Sequence, residues 1–229
     1  MSVFRSWIGG TRRLVLDVGR HGLLLGPVRR AFVEPAAGVS NEVQRLLLSY
    51  YGERLSHAGL IAGSSGNLSA RLNDPTIIYI TPHASNKAFL RRSDITRVSL
   101  DEQDPDLERV SIEFPMHRAC YLAHPEVGAV IHTHAPALTA IGMLDLDLAE
   151  ELPEIRGALG DILCIPYVPA GSQELADAVG VAVRDGAKLV LLQRHGAVSV
   201  GSDLSQACDR MELGELSAKT VLWARGEPV

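Results

Sequence analysis

Val127-Gly128-Ala129-Val130-Ile131-His132-Thr133-His134 joins a continuous, branched apolar run to a His-x-His pair. The run has the character of a buried strand, and side chains at i and i+2 of a strand leave on the same face. One strand end therefore offers two imidazoles on one side, from His132 and His134. A second apolar run, Lys188-Leu189-Val190-Leu191-Leu192, leads into Gln193-Arg194-His195-Gly196, where Gly196 is expected to turn the chain sharply beside His195. Three neutral imidazoles suit zinc and neighbouring transition metals, and a fourth position left to a carboxylate or water keeps such a site open to substrate. The carboxylate candidate is Glu113. Each feature also has an ordinary explanation, since a His-x-His pair is common in cores and on surfaces, and the segments serve one ion only if they meet in space. His21, His57 and His124 lack this context and read as surface or packing residues.

The chain has 229 residues, 46% hydrophobic and 21% charged, which fits one sizeable core and a single α/β or α+β domain. A net charge of -5 and the absence of any motif that reads nucleic acid favour a small-molecule substrate over a polymer. Cys120, Cys164 and Cys208 are odd in number, widely spaced and set in apolar stretches, so they read as reduced core thiols of a cytoplasmic protein. No uninterrupted apolar stretch reaches the roughly 18 residues that cross a bilayer, and no membrane partner is expected. Residues 1–39 differ in tone: Arg5, Arg12, Arg13, Arg20, Arg29 and Arg30 face only Asp17 and Glu34. This basic extension is read as a surface or subunit-docking segment in preference to a membrane-binding or targeting one. The remaining 40–229 form the expected catalytic domain.

Within that domain Ser40 is a helix cap, and Glu42 to His57 has amphipathic spacing. The loop Gly59 to Ser69 is rich in small residues and offers backbone N–H groups to an anion, or is simply a turn. Strands are expected at Leu68 to Leu72, Ile77 to Thr81 and Arg97 to Leu100. Ser111 then caps a helix from about Ile112 to Ala123, with Glu113 in the first turn, where helix-dipole stabilisation alone is a sufficient reason for a carboxylate. A closing helix runs from about Leu204 to Ala224 with an apolar stripe and Gly226 as its stop.

The ordered set Gly66-Asn67-Leu68-Ser69 with Arg71, Ile80-Thr81-Pro82, Ser111-Ile112-Glu113 with His117, His132-Thr133-His134, Pro166-Tyr167 and Gln193-Arg194-His195-Gly196 resembles the class II aldolase/adducin family, typified by fuculose-phosphate aldolase. The resemblance covers roughly residues 41 to 225. It implies a three-layer α/β/α domain around a largely antiparallel sheet, assembled as a homotetramer with sites at subunit interfaces. It also implies that His132, His134 and His195 bind a divalent ion, with zinc the first expectation and manganese, cobalt and iron open. Glu113 becomes the base of a retro-aldol cleavage through a metal-stabilised enediolate. That role is expected to need a carboxyl pKa raised toward neutrality. The pocket is formed by Gly66, Asn67, His83, Ala84, Ser111 and Ile112.

The chain departs from the sugar-phosphate members in that pocket. His83 and Ala84 replace a Thr-Gly pair, and Ile112 replaces a serine, so a hydrogen-bond donor to phosphate is lost. His83, Ser85 or Lys87 could compensate, or could grip a carboxylate. Glu151 to Arg156 also lacks the tyrosine that aldolases carry there. Decarboxylation of a hydroxy-aromatic or keto acid is therefore a close second reading. A non-catalytic scaffold, as in adducin heads, ranks below both, because the metal set is complete. His117 is either a pocket residue or a packing group behind Glu113.

Overall fold

The computed structural model describes residues 40–102 and 109–227, so the extension expected over 1–39 lies outside the described residues. Ser40 is extended and its hydroxyl accepts from the Val43 N–H at 3.4 Å, which starts helix α1, Asn41–His57. Strands β1, Asn67–Arg71, and β2, Ile77–Ile80, are joined by a turn in which the Asp74 carboxylate accepts from the Thr76 N–H and hydroxyl. Then come β3, Thr96–Ser99, α2, Phe114–Ala123, β4, Ala129–Thr133, and α3, Pro136–Met143. Two short turns, α4 at Leu148–Glu151 and α5 at Arg156–Leu159, lead to β5, Leu163–Ile165. The chain closes with α6, Gln173–Arg184, β6, Leu189–Leu192, β7, Gly196–Gly201, and α7, Leu204–Ala224.

The strands form one sheet in the order β3-β2-β1-β4-β7-β6-β5. Every neighbouring pair is antiparallel except β5 and β6, whose parallel pairing uses α6 as the crossover. The sheet is thus mixed, and largely antiparallel as expected. On one face α2 and α6 cover Ile78, Ile80, Val98, Val130, Val190, Val198 and Val200. On the other face α1, α3 and α7 pack against the central strands. Buried on both faces, β4 has no solvated side, which is why its sequence is continuously apolar where an edge strand would alternate.

Polar side chains fix the helices around the end of β4. Glu215 of α7 is 3% exposed, and its two oxygens accept the Ala137 and Leu138 N–H groups at 3.2 and 3.0 Å. A carboxylate at a helix N-terminus is favoured by the exposed N–H groups and the dipole, so α7 holds the helix that follows His134. Arg54 of α1 grips Glu212 of α7 through a two-pronged contact of 2.8 and 2.5 Å. Arg71 donates to the carbonyls of Val127, Pro75 and Tyr121, and the Thr81 hydroxyl accepts from the Leu68 N–H at 3.1 Å. These two motif residues build the scaffold.

Three expectations are corrected. Helix α2 begins at Phe114, with Glu113 as its N-cap residue, because Ser111 forms a separate turn in which its carbonyl accepts from the Phe114 N–H at 2.9 Å. Cys164 is exposed, whereas Cys120 and Cys208 are buried as read. Its strand, β5, lies at the sheet edge, so an apolar sequence there is covered incompletely. The turn before β7 is made by Arg194, at φ 61, and Gly196 already belongs to the strand. What Gly196 provides is room: a Cβ there would lie 2.3 Å from the Thr133 carbonyl oxygen.

Gly196→Ala should therefore cost about 1–3 kcal/mol of stability through overpacking against rigid backbone. At about 2–4 °C per kcal/mol for a chain of this size, a thermal melt of metal-free protein will resolve it. Gly157→Ala, where a Cβ meets nothing within 4 Å, should leave the melting temperature level or slightly higher.

Candidate active site

Register places the site before any ligand is considered. His132 on β4 lies opposite Asn67 on β1 and Val198 on β7, so Asn67 and His132 project on the same face at adjacent strand ends. His134 follows just past the end of β4. In the β6–β7 turn the His195 N–H donates to the Leu192 carbonyl at 3.0 Å, and Arg194 takes the left-handed conformation. A non-glycine residue there costs local strain, and the turn delivers His195 beside the His-x-His pair. The ring centroids lie 5.0 Å (132–134), 4.8 Å (132–195) and 5.0 Å (134–195) apart. One ligand atom from each ring falls within 4.8 Å of the others.

Glu113 comes to this triangle from the N-cap of α2. Its side chain makes no cap hydrogen bond; the Ser111 hydroxyl instead accepts from the Glu113 N–H at 3.3 Å. The carboxylate is turned inward, with Oε2 3.1 Å from His132 Nε2 and Oε1 3.5 Å from His195 Nε2. Asn67 Nδ2 donates to Oε2 at 2.9 Å. Capping therefore does not account for this carboxylate.

The protonation pattern makes the arrangement informative. Burial pushes the His132 pKa down to about 4, so the ring is neutral at neutral pH, and its Nδ1–H donates to the Ala197 carbonyl at 3.0 Å. That leaves a lone pair on Nε2 facing the carboxylate. His134 is also shifted down, first by burial and then by His195. Burial alone would raise Glu113, but His132, the Asn67 hydrogen bond, His195 and His117 together outweigh it and hold the carboxyl below its usual range. The expected upward shift is thus reversed: Glu113 is ionised at neutral pH. His132 Nε2, His195 Nδ1 and Glu113 Oε1 are buried without a hydrogen-bond partner. Buried polar atoms without partners are costly, and a divalent cation held beside His132 Nε2 and the Glu113 carboxylate would relieve that cost. The neutral nitrogens and the carbonyl that orients His132 are the donor set and support such an ion requires.

Behind Glu113 a directed chain of hydrogen bonds runs into the core. Asn67 spends its amide N–H on the carboxylate, so its Oδ1 accepts from His117 Nε2–H at 2.5 Å. The other ring nitrogen meets the Ser69 hydroxyl at 2.7 Å, and Ser69 meets the Tyr121 hydroxyl at 2.7 Å. His117 is fully buried, which holds its pKa down at about 3 and the ring neutral. It is a group behind Glu113 and does not line the cavity. The i, i+4 step from Glu113 to His117 and the i, i+2 step from Asn67 to Ser69 carry this network in the sequence, although neither names the partners.

The cavity has a volume of about 210 Å³ and is lined by every expected site residue except His132, which lies beneath it. Gly66 sits at φ 64, and a Cβ on it would come within 2.6 Å of the His132 carbonyl oxygen. Ala84, standing where the resemblance places glycine, keeps the left-handed conformation at φ 50. His83 and Ile112 are exposed at the rim. The lining residues not assigned to the pocket from sequence are Ser64, Ser65, Pro82, Lys87 and Ala170. Of these, Ser64 and Ser65 lie in the small-residue loop, Pro82 in the Ile80-Thr81-Pro82 motif, and Lys87 is a candidate replacement for the lost donor.

With this geometry in place, the chain matches the family described as the class II aldolase and adducin N-terminal domain over residues 47–222, and it belongs to that family. It is 34% identical over 155 residues to L-fuculose phosphate aldolase of Methanococcus maripaludis, covering 68% of this chain and 83% of that protein. It is 32% identical over 194 residues to 3-oxo-tetronate 4-phosphate decarboxylase of Haemophilus influenzae, covering 81% and 90%. The solved structure of YgbL from Klebsiella pneumoniae superimposes with a TM-score of 0.76 at 28% identity, covering 84% of this chain and 94% of that one. The protein is a divalent-metal-dependent lyase of the class II aldolase type.

Acid should destabilise the metal-free protein. His132 and His117 have folded values of about 4 and about 3, against about 6.5 when unfolded. The unfolded chain therefore binds more protons below about pH 6.5, and stability present above that value is lost progressively as pH falls toward the folded values. Denaturant midpoints should fall between about pH 7 and pH 4.5. Replacing His117 with Phe removes the donor that orients Asn67. It should lower turnover roughly 10- to 100-fold while elemental analysis still finds the metal.

Proposed function

We propose that His132, His134 and His195 hold one divalent ion, zinc in the first instance, and that Glu113 moves the substrate proton in a carbon–carbon cleavage. The supporting observation is the meeting of the three rings, each with a ligand atom within 4.8 Å of the others, beside the Glu113 carboxylate 3.1 Å from His132 Nε2. The first reading is retro-aldol cleavage of a small hydroxy-carbonyl, sugar-phosphate-like substrate; M. maripaludis L-fuculose phosphate aldolase supports it. A divalent ion bound there supplies Lewis-acid polarisation of the substrate oxygens.

The chain's own groups do the rest. Asn67 fixes the Glu113 carboxylate so that it is ionised and aimed into the cavity. In the synthetic direction it removes the proton from the carbon beside the carbonyl; by microscopic reversibility it returns that proton after cleavage. Gly66, Asn67, His83, Ala84, Ser111 and Ile112 shape the cavity around the rest of the substrate. We take 40–229 as the catalytic unit and 1–39 as a basic extension of a cytoplasmic protein. We infer a homotetramer with sites between subunits; exposed Phe89, Leu122, Met143 and Trp223 supply apolar surface for such contacts.

Decarboxylation is the second reading, favoured by a specific observation. Retro-aldol cleavage must remove a hydroxyl proton as well as deliver one to carbon, and Glu151 to Arg156, without a tyrosine, form only short helical turns. Loss of carbon dioxide needs the delivery alone. The H. influenzae decarboxylase matches along most of this chain, in keeping with that chemistry.

A screen of metal-loaded protein on sugar phosphates and on hydroxy-aromatic or keto acids, reading aldehyde and carbon dioxide in parallel, separates the two readings. Glu113→Gln should retain the metal and lose roughly 100- to 10,000-fold in turnover; a fully active variant would place the base elsewhere. His132→Ala and His134→Ala should lose metal and activity together, and unchanged metal content would remove the proposed ligand set.

A further inference from the structure

Lys87 is 2% exposed, and the lyase proposed above assigns it no part. It opens a single 3-10 turn, Lys87–Phe89, capped by the Asn86 side chain and seated on α1, where a Cβ on Gly52 would lie 2.9 Å from the Lys87 carbonyl oxygen. From there its stem runs inward, and Nζ donates to the Ser64 carbonyl at 3.0 Å and the Ser85 carbonyl at 2.8 Å. These carbonyls belong to the two loops, 58–66 and 81–86, that wall the cavity. The ammonium has three donors, so one remains. Lys87 itself lines the cavity with Glu113, His134 and His195.

Two neutral carbonyls do not balance a buried charge. Among the described residues no carboxylate lies within 4.0 Å of Nζ. The one that acts on it, Glu113, lies beyond that distance, and its Oε2 accepts from Asn67. Burying an unpaired cation is expensive, and a neutral side chain with two donors would join the same loops without that expense. Burial lowers the Lys87 pKa to about 8, against an opposing pull from Glu113, which leaves the ammonium mostly charged at neutral pH. The missing counter-charge is then one that arrives with a ligand. Ile112, which lines the same cavity, brings no side-chain donor.

We propose that Lys87 receives the anionic end of the substrate, an oxyanion that is either a phosphate or a carboxylate, and that its charge holds that end in the cavity. This rests on the lyase reading of the same cavity and adds the substrate's charge to it. Because one ammonium serves a phosphate or a carboxylate equally, Lys87 selects for charge, and the width of the cavity decides which oxyanion enters.

The test is calorimetric titration of the metal-loaded, full-length protein with inorganic phosphate and, separately, with acetate. Lys87→Met and Lys87→Gln are measured alongside, with metal content and circular dichroism as controls for folding. Gln can keep donors for the two carbonyls but carries no charge, so it separates a charge role from loop stapling. Wild type should bind at least one anion, and both variants should weaken that binding at least tenfold with metal unchanged. For any substrate found, Lys87→Gln should raise KM far more than it lowers kcat. Phosphate binding identifies a phosphorylated substrate class, and acetate binding alone a carboxylate. If wild type binds neither anion, or Lys87→Gln binds as wild type does, the proposal is overturned. Loss of the lyase reading would look different: no metal in wild type, or full activity in Glu113→Gln, with anion titration unaffected.

Discussion

The site depends on placing an ionised carboxylate and the lone pair of a neutral imidazole 3.1 Å apart inside the protein. Left alone, two acceptors in a poorly solvated place repel, and the structure holds them there because the groups that orient them are committed. The Ala197 carbonyl takes the His132 Nδ1 proton, and the His117–Asn67 pair dictates which end of the Asn67 amide faces Glu113. Reversing either hydrogen bond would put the wrong atom toward the centre. The network behind the carboxylate therefore preserves a charge pattern that is unfavourable in the metal-free chain and that a cation bound there would make favourable.

Rigid support is needed because misplaced ligands would relax that tension by moving apart. β4 is the central strand of the sheet, paired by β1 and β7, so His132 sits on a strand fixed from both sides. The segment after His134 is anchored from α7 through Glu215, a buried carboxylate spent on two backbone N–H groups. His195 is set by a hairpin turn whose left-handed residue is an arginine, and the adjoining glycine is reserved for close approach to Thr133. Strain at Arg194 and crowding at Gly196 are tolerated because the strands on either side over-determine the turn.

Much of this was legible in the chain before any coordinates. Continuous apolar runs identified the buried strands, because a strand covered on both faces cannot alternate, and the i, i+2 spacing put two histidines on one side. The meeting of Glu113 with His132 was not legible from spacing, since the pairing of β1 with β4 and the packing of α2 act over dozens of residues; the residues offer Glu113 as a carboxylate candidate, and the resemblance adds its role as base. Local chemistry misled in three places. Serine before glutamate looked like a cap with its first turn, yet the cap is Glu113 itself; glycine after His195 looked like the turn; and Cys164 looked buried because edge position has no composition of its own. The direction of the Glu113 shift also escaped, because it is set by three histidines and an amide that only the fold assembles.

Charge balance joins the metal centre to the far wall of the cavity. An imidazole that binds through a lone pair adds no charge, so a divalent ion would be offset within the site, among the described residues, by Glu113, while Lys87 contributes further positive charge. The cavity would then hold a clear positive excess, and desolvation magnifies its effect. Such a field disfavours neutral ligands relative to anions and stabilises electron pairs released when a carbon–carbon bond breaks, whichever fragment leaves. Aldol cleavage and decarboxylation thus make the same electrostatic demand. What separates them is the second proton, which retro-aldol cleavage must take from a hydroxyl and loss of carbon dioxide need not.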